Sequence, residues 1–209
     1  MLLLLALGMI GWYFYDRSQQ PSPAAVNQQR LHFINDPVQV MLPKPQFARI
    51  TNRQGTFYLK LLAQYRLCGK IATAERYYLG WDGALSPLDL GICWGIIPLP
   101  ENYSTLNFST GHRFCYFRLK PDSPLDPTYV ISHMSNNHLI PARDNLRKAL
   151  LSLKEGQLVL LEGYLVEVSG FFKERPVNWG TSLTRDDSGN HACELFYVTR
   201  VTTEDAIYL

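Results

Sequence analysis

The chain has 209 residues, of which 46% are hydrophobic and 18% charged, a composition that excludes a disordered protein. Twenty basic and 18 acidic residues leave a net charge of +2 without any run of like charges, so no nucleic acid is expected among its partners. The length fits one domain with a buried core and additional segments.

The first fifteen residues, Met1 to Tyr15, carry no charged side chain. As a helix they would span about 22 Å, which is short for a bilayer core of about 30 Å. Trp12, Tyr13 and Tyr15 can lie at the headgroup level, as interfacial aromatic residues do. We therefore predict a transmembrane anchor over residues 1–15, through which the chain contacts a membrane.

A cleaved signal peptide is the alternative to an anchor, since Ser22 and Ala24 offer small residues for cleavage. The chain lacks a basic region before the apolar run, however, and the small residues lie far from it. Residues 16–55 are rich in Gln, Pro, Asn and Ser and predict an extended tether. The apolar residues 38–47 are expected to dock part of this tether on the domain.

A β-rich globular domain is predicted over residues 56–209. Residues 57–67 alternate apolar and polar side chains, the period of a half-buried strand. Gly69 is expected to turn the chain into a second strand at residues 70–78. Ser86 as N-cap and Pro87 at the first helical position then predict the start of a short helix.

Two segments in the middle of the chain, residues 112–119 and 128–132, are interpreted as strands separated by a Pro/Asp turn. The clearest helix follows, because apolar side chains recur at helical spacing. They are Leu146, Ala149, Leu150 and Leu153.

The C-terminal part predicts more strands. Residues 157–168 are apolar on both faces, as a central strand is, and Gly163 inside them indicates a bulge or a barrel corner. Residues 179–201 predict a hairpin around a turn at 186–190. Together these elements indicate the α+β class and a small β-rich barrel of OB or SH3-like type with one or two helices.

Candidates for a metal or acid–base site are His133, His138, His191 and Asp187, with Cys193 as a further candidate, because imidazole, thiolate and carboxylate groups are zinc ligands. The spacing of His133 and His138 is not the i, i+4 spacing of two ligands on a helix. The Asn136–Asn137 pair between them indicates a strand-to-helix junction instead. A site therefore requires convergence with His191 or Asp187, and no metal or cofactor is the preferred interpretation.

The four cysteines, Cys68, Cys93, Cys115 and Cys193, contain no Cys-x-x-Cys pair and are interpreted as buried thiols, with disulfides as the alternative.

Aromatic residues make up 12% of the chain, and five of them lie near predicted loops or strand ends. Because Tyr and Trp are enriched at interfaces, these five are candidates for contact with a partner. They are Tyr77, Tyr78, Trp81, Trp94 and Trp179.

Four strings, "LSPLDLGICWG", "HMSNNHLIPA", "GQLVLLEGYLVEV" and "WGTSLTRDDSGNHACELFYV", carry a resemblance over residues 57–201. They resemble an uncharacterised group of bacterial membrane-anchored envelope proteins with S-x-N-x-H-L-I-P-A and S-L-x-R-x-D-x-G…C-E segments. The resemblance implies an inner-membrane protein whose body faces the periplasm, and it supplies no activity. Arg17 and Arg30 after the anchor, with no basic residue before it, would by themselves favour a cytoplasmic body.

The expected function is that of a non-enzymatic accessory or assembly subunit of the envelope, docking to other membrane or periplasmic proteins. This expectation follows from the anchor, the tether and the lack of a catalytic motif in the sequence. The alternative is a periplasmic metal-dependent or acid–base hydrolase that uses His133, His138 and His191.

Overall fold

The computed structural model describes residues 31–52, 55–184 and 193–209. These residues form a β-rich domain with few and short helices, as the sequence predicts. In chain order the elements are β1 (Val38–Asn52), β2 (Gly55–Arg76), α1 (Gly80–Leu85), β3 (Leu88–Cys93), α2 (Pro100–Tyr103), β4 (Leu106–Gly111), β5 (Phe114–Leu119), α3 (Pro127–Ser132), β6 (Met134–Pro141), α4 (Asp144–Ser152), β7 (Leu158–Phe172), β8 (Arg175–Trp179), β9 (Glu194–Thr202) and β10 (Ile207–Tyr208).

Five of the strands pair in a closed cycle, β2 with β3, β3 with β6, β6 with β9, β9 with β7, and β7 with β2. We name this set the five-strand ring. All its pairs are antiparallel except β6 with β9, which is parallel. The helix α4 lies between β6 and β7 in the chain, so it makes the connection that leads from one to the other.

The main core lies between the strands of this ring. The alternation predicted for residues 57–67 places every second side chain of β2 inward, and Ala63, Tyr65 and Leu67 belong to this core. Leu146 and Leu150 of α4 join it, which confirms the predicted apolar stripe of the helix. Burial of these side chains, at about 25 cal/mol per Å² of apolar area, is the main stabilising contribution to the domain.

Three hairpins extend the ring. In two of them β1 pairs with the first part of β2, and β8 pairs with the last part of β7. In the third, β4 and β5 form a separate two-stranded sheet. The turn of this β4–β5 hairpin is His112–Arg113, at φ of 51° and 64°, where L-residues other than glycine are strained by about 1–2 kcal/mol each.

The first part of the chain departs from the sequence prediction. Residues 38–52, assigned to the tether, are strand β1, because half-buried Leu42, Ala48 and Ile50 pack on the core. Gly69 is not a turn but lies inside the continuous strand β2. A Cβ atom there would meet the carbonyl oxygen of Cys93 at 2.5 Å, so glycine permits the close approach of β3.

Three further segments also differ. Ser86–Pro87 precede strand β3 rather than a helix, since residues 88–93 are all buried in the sheet. Residues 128–132, predicted as a strand, belong to α3, which begins with Pro127 and is capped by Asp126 accepting from the backbone N–H of Thr128 at 2.7 Å. The Asn136–Asn137 pair is not a junction but lies within β6.

The predicted C-terminal hairpin is corrected as well. Strand β8 pairs with β7, whereas β9 pairs with β6, β7 and β10, so β8 and β9 are not paired with each other in the described part of the chain. The two arms of the predicted hairpin meet only beyond β8, where the backbone N–H of Ser182 donates to the carbonyl oxygen of Cys193 at 2.9 Å. The apolar side chains of β9 pack in the core of the five-strand ring instead.

No helix within the described ranges is long and apolar enough to cross a membrane. The predicted anchor, with Trp12, Tyr13 and Tyr15, lies outside these ranges.

The bulge predicted at Gly163 is confirmed, since the register of β7 against β9 shifts between Glu162 and Gly163. A Cβ atom at Gly163 would overlap the carbonyl oxygen of Tyr197.

We therefore expect Gly163→Ala to lower the free energy of unfolding by about 1–3 kcal/mol in urea unfolding of the full-length chain in mild detergent. Gly111→Ala is the control, because there the nearest atom is a ring carbon of Tyr116 at 3.7 Å. Equal losses in both variants would contradict the prediction.

Candidate functional site

The most highly connected polar side chain of the described residues is Arg113, at the tip of the β4–β5 hairpin. Its Nε and Nη2 donate to the two carboxylate oxygens of Asp89 in β3, at 3.0 and 2.7 Å. Its Nη1 donates to Asp82 in α1 at 2.7 Å, and Nη2 also donates to the carbonyl oxygen of Ser86 at 2.9 Å. We name Arg113, Asp82, Asp89 and Ser86 the arginine cluster.

Two aromatic rings complete the surroundings of this guanidinium group. Its central carbon lies 4.1 Å from the ring centroid of Tyr77 and 4.8 Å from that of Trp179. The side chain of Arg113 is 14% exposed and that of Asp89 is 4% exposed, so the charges are largely removed from water. Burial lowers the pKa of Arg113, but the hydrogen bonds and charges of Asp89 and Asp82 outweigh burial and raise it, so the guanidinium is always charged.

His138 lies beside the arginine cluster because it pairs with Asp89 across β6 and β3. Its Nδ1 is 3.0 Å from Oδ2 of Asp89, a contact that has the distance of an ion pair but not the geometry of a hydrogen bond. The imidazole centroid is 4.8 Å from that of Trp179, and the residue is 5% exposed. Asp89 therefore contacts both a guanidinium and an imidazole group.

An open pocket of about 530 Å³ lies above these groups, with His138, Arg113, Asp82, Cys193 and the rings of Trp81 and Trp179 in its walls. The two tryptophan rings meet edge to face, with centroids 5.5 Å apart. The volume is in the range of pockets that take a small molecule or a side chain of a partner.

The charge of this pocket argues against phosphate-containing ligands. Among the described residues of this site, Asp82 and Asp89 contribute two negative charges and Arg113 one positive charge, a sum of −1. Arg113 already donates from all three of its nitrogens to groups of its own chain. A site that binds nucleic acid instead presents uncommitted cations to phosphates.

The histidines singled out in the sequence are not brought into one site. His133 stacks on Tyr129, with centroids 3.8 Å apart, and its Nδ1 lies 3.0 Å from the carbonyl oxygen of that residue. It does not line the pocket that contains His138. His191 and Asp187 lie outside the described residues. Within the described part of the chain, no group of three or more His, Cys, Asp or Glu side chains is arranged to hold a metal ion.

Four of the five aromatic candidates for partner contact lie around the pocket or on the loop before α1. Trp81 and Trp179 line it, Tyr77 stacks on Arg113, and Tyr78 is 70% exposed. The fifth, Trp94, is corrected: it is 1% exposed in the main core, and its indole N–H donates to Asp36 at 2.9 Å. The indole ring of Trp94 packs in the core and is not exposed for contact with a partner.

The four cysteines are thiols in the structure. Burial raises the pKa of Cys93 from 9.0 to about 12, and burial likewise raises the pKa of Cys115 and of Cys68 to about 11. These three thiols are therefore protonated and unreactive at neutral pH.

Sequence reasoning did not single out Arg113, Asp82 or Asp89 as site residues. One signal was available, because Asp89 interrupts the apolar run "LDLGIC" and a charge inside a buried strand requires a partner. The sequence does not indicate which basic residue pairs with Asp89, since Arg113 follows 24 residues later in a different hairpin.

Comparison with protein-family models, curated proteins and solved structures finds no match to this chain.

The arginine cluster predicts that Arg113→Ala lowers the free energy of unfolding by about 3–5 kcal/mol, because it leaves the buried carboxylate of Asp89 without its guanidinium partner. The measurement is urea unfolding of the full-length chain in mild detergent. Lys60→Ala is the control, since the Lys60–Glu167 pair is about half exposed and is expected to contribute at most about 1 kcal/mol. A loss of less than 1 kcal/mol for Arg113→Ala would show that the cluster is not a stabilising unit.

The buried thiols predict a loss of stability at alkaline pH. Thiols of the unfolded chain ionise near pH 9, whereas Cys93 and Cys115 hold their protons to pH 11–12 when folded, so the unfolded state releases protons first. The free energy of unfolding should fall above pH 9, by up to about 1.4 kcal/mol per pH unit for each thiol. In pH-dependent urea unfolding, Cys93→Ala should show a shallower fall, and identical slopes in both proteins would contradict this account.

Proposed function

We propose that the globular domain is a barrel of the OB type rather than the SH3-like type. Numbered along the chain, the ring strands β2, β3, β6, β7 and β9 are the first to the fifth, and they pair in the order 1-2-3-5-4-1. The parallel pairing of the third with the fifth strand and the helix between the third and the fourth support this type. Domains of this type bind ligands on the face of strands 2 and 3 between the loops 1–2 and 4–5.

The elements that line the pocket support this proposal. His138 is on the third strand, Asp82 is in the connection between the first and second strands, and Trp179 is in the connection between the fourth and fifth. A face of this kind is a binding surface, and its ligand depends on the chemistry of the particular side chains.

We propose that the protein is a non-enzymatic accessory or assembly subunit of the bacterial envelope, which docks to another membrane or periplasmic protein through this face. The predicted anchor over residues 1–15 and the resemblance over residues 57–201 support the envelope location, with the domain in the periplasm.

The observation that carries the docking proposal is the exposure of Tyr78 and Leu79, which are 70% and 87% accessible. Both precede α1, the helix that contributes Trp81 to the pocket. Two adjacent large apolar side chains in water beside an aromatic pocket are the composition of an interface centre. The net charge of −1 around the pocket favours a protein surface with neutral or basic groups over a nucleic acid.

The contact between Asp89 and His138 supports a second candidate, an acid–base hydrolase with His138 as the base. A carboxylate at Nδ1 orients an imidazole and stabilises its charged form. The two candidates differ in the role of His138. A hydrolase would lose its activity when the imidazole is replaced, whereas a docking subunit has no catalytic activity to lose.

Docking is tested with a Tyr78→Ser/Leu79→Ser double variant of the full-length chain, solubilised from bacterial membranes in mild detergent. We expect the wild-type chain to elute in a complex larger than itself and the double variant to lose that complex at least about tenfold, since removal of an interface centre costs 2 kcal/mol or more. Urea unfolding should be nearly unchanged because both side chains are exposed.

The matched control replaces two other exposed apolar side chains, Ile131→Ser and Phe171→Ser, which are 54% and 55% accessible and do not line the pocket. This control should retain the complex. A wild-type chain that elutes alone, or a control that loses the complex as fully as the double variant, would overturn the proposal.

A further inference from the structure

Strand β1 lies at the end of the sheet, and its outer side is an edge. Among the described residues, β1 pairs only with β2. Because the backbone groups of an antiparallel strand point alternately to its two sides, every second residue of β1 directs its N–H and C=O away from β2. With 15 residues, β1 is more than twice as long as the usual strand of about 5–6 residues. A long edge of this kind is a template for pairing with a further strand.

Prolines protect one part of this edge and leave another part open. Pro43 and Pro45 have no N–H to donate, and the register of β1 against β2 shifts beside them. Residues 46–51, in contrast, pair with β2 at successive positions without a shift and contain neither proline nor glycine. Strand β8, at the other end of the sheet, has only five residues and contains Pro176. A short strand with a proline is a protected edge, so we name residues 46–51 the open edge.

The two faces of the open edge differ in their chemistry. Ala48 and Ile50 are half-buried and pack against the apolar cluster that contains Phe57. Phe47 and Arg49 lie on the opposite face, since successive side chains of a strand alternate, and Phe47 is 74% exposed. A strand added here would therefore meet apolar groups on one face and a cation on the other.

The charge of β1 indicates which kind of strand fits. It has two basic side chains, Lys44 and Arg49, and no acidic one. Opposite charges on directly opposed residues of neighbouring strands are stabilising, whereas like charges are destabilising. Antiparallel pairing with β1 of a second copy would bring these cations towards each other. Acidic side chains on the face of Arg49 favour a strand of different sequence over a second copy.

We propose that the open edge binds an extended segment of a partner protein, in which apolar and acidic residues alternate, as an additional strand of the sheet. The outward N–H and C=O groups hold the backbone of the segment. Its apolar side chains meet Ala48 and Ile50, and its acidic side chains meet Arg49. This surface goes beyond the docking face beside Tyr78 and Leu79 and is tested separately from it.

The probe is a fluorescein-labelled octapeptide of alternating valine and glutamate, and a matched probe has lysine in place of glutamate. Binding to the full-length chain in mild detergent is measured by fluorescence polarisation. We expect the glutamate peptide to bind at least about fivefold more tightly than the lysine peptide, because lysine replaces attraction to Arg49 by repulsion.

Two arginine variants test whether the open edge is the binding site. Arg49→Glu should invert the preference, so that the lysine peptide binds more tightly. Arg175→Glu is the matched control, because it makes the same change of charge at an exposed side chain of the protected edge strand β8, and it should keep the wild-type preference. Urea unfolding of both variants should be nearly unchanged, since both arginines are exposed.

Amide hydrogen exchange distinguishes an added strand from attraction between charges alone. A saturating amount of the glutamate peptide should slow exchange of the outward amides of residues 46–51 at least about tenfold and leave residues 175–179 unchanged.

The proposal is overturned if the wild-type chain does not prefer the glutamate peptide, if Arg49→Glu keeps the wild-type preference, or if exchange at residues 46–51 is not slowed. A dimer of the chain in which these residues are protected without peptide would assign the edge to a second copy, which equally overturns it. None of these outcomes bears on docking, which is measured by elution of the complex with Tyr78 and Leu79 replaced.

Discussion

The ion pair between Arg113 and Asp89 is the interaction on which the arrangement of the pocket depends. Removing two charges from water is costly, and only good geometry with additional hydrogen bonds offsets that cost. Here the carboxylate is met by two parallel N–H groups, and the remaining donors reach Asp82 and Ser86. A lysine could not do this, because its single ammonium group lacks the planar fork. The hairpin tip, α1 and β3 are thereby fixed to one another.

This fixation explains a strained turn. His112 and Arg113 occupy the left-handed region that glycine and asparagine usually fill in two-residue hairpins. A glycine at position 113 would relieve the backbone strain, but it would also remove the guanidinium group and its hydrogen bonds. The contacts of Arg113 therefore offset the strain of its backbone conformation. Strain of this kind persists where surrounding contacts determine the conformation, and it is frequent at functional sites. The same residue thus sets the shape of the hairpin and of the pocket wall.

The sequence predicted the elements whose signals are local. The alternation in residues 57–67, the stripe of α4 and the bulge at Gly163 each appear within a dozen residues, and the structure confirms all three. Residues 86–93 were misjudged because Ser86–Pro87 imitate a helix start, whereas pairing with β2 and β6 decides the outcome. The site was less predictable still, because Arg113 meets Asp89 only after a separate hairpin has folded over the ring, and no local pattern carries that information.

The continuity of β2 has a mechanical consequence. This one strand of 22 residues pairs with β1 and β7 at its beginning and with β3 at its end, so it belongs both to the ring and to the sheet that extends from it. At about 3.3 Å per residue its contour is about 70 Å, and its register shifts, between Leu61 and Ala63 and between Ile71 and Thr73, bend the strand without interrupting it. The extension and the ring therefore share one backbone, with no loop inside β2 that could act as a hinge between them.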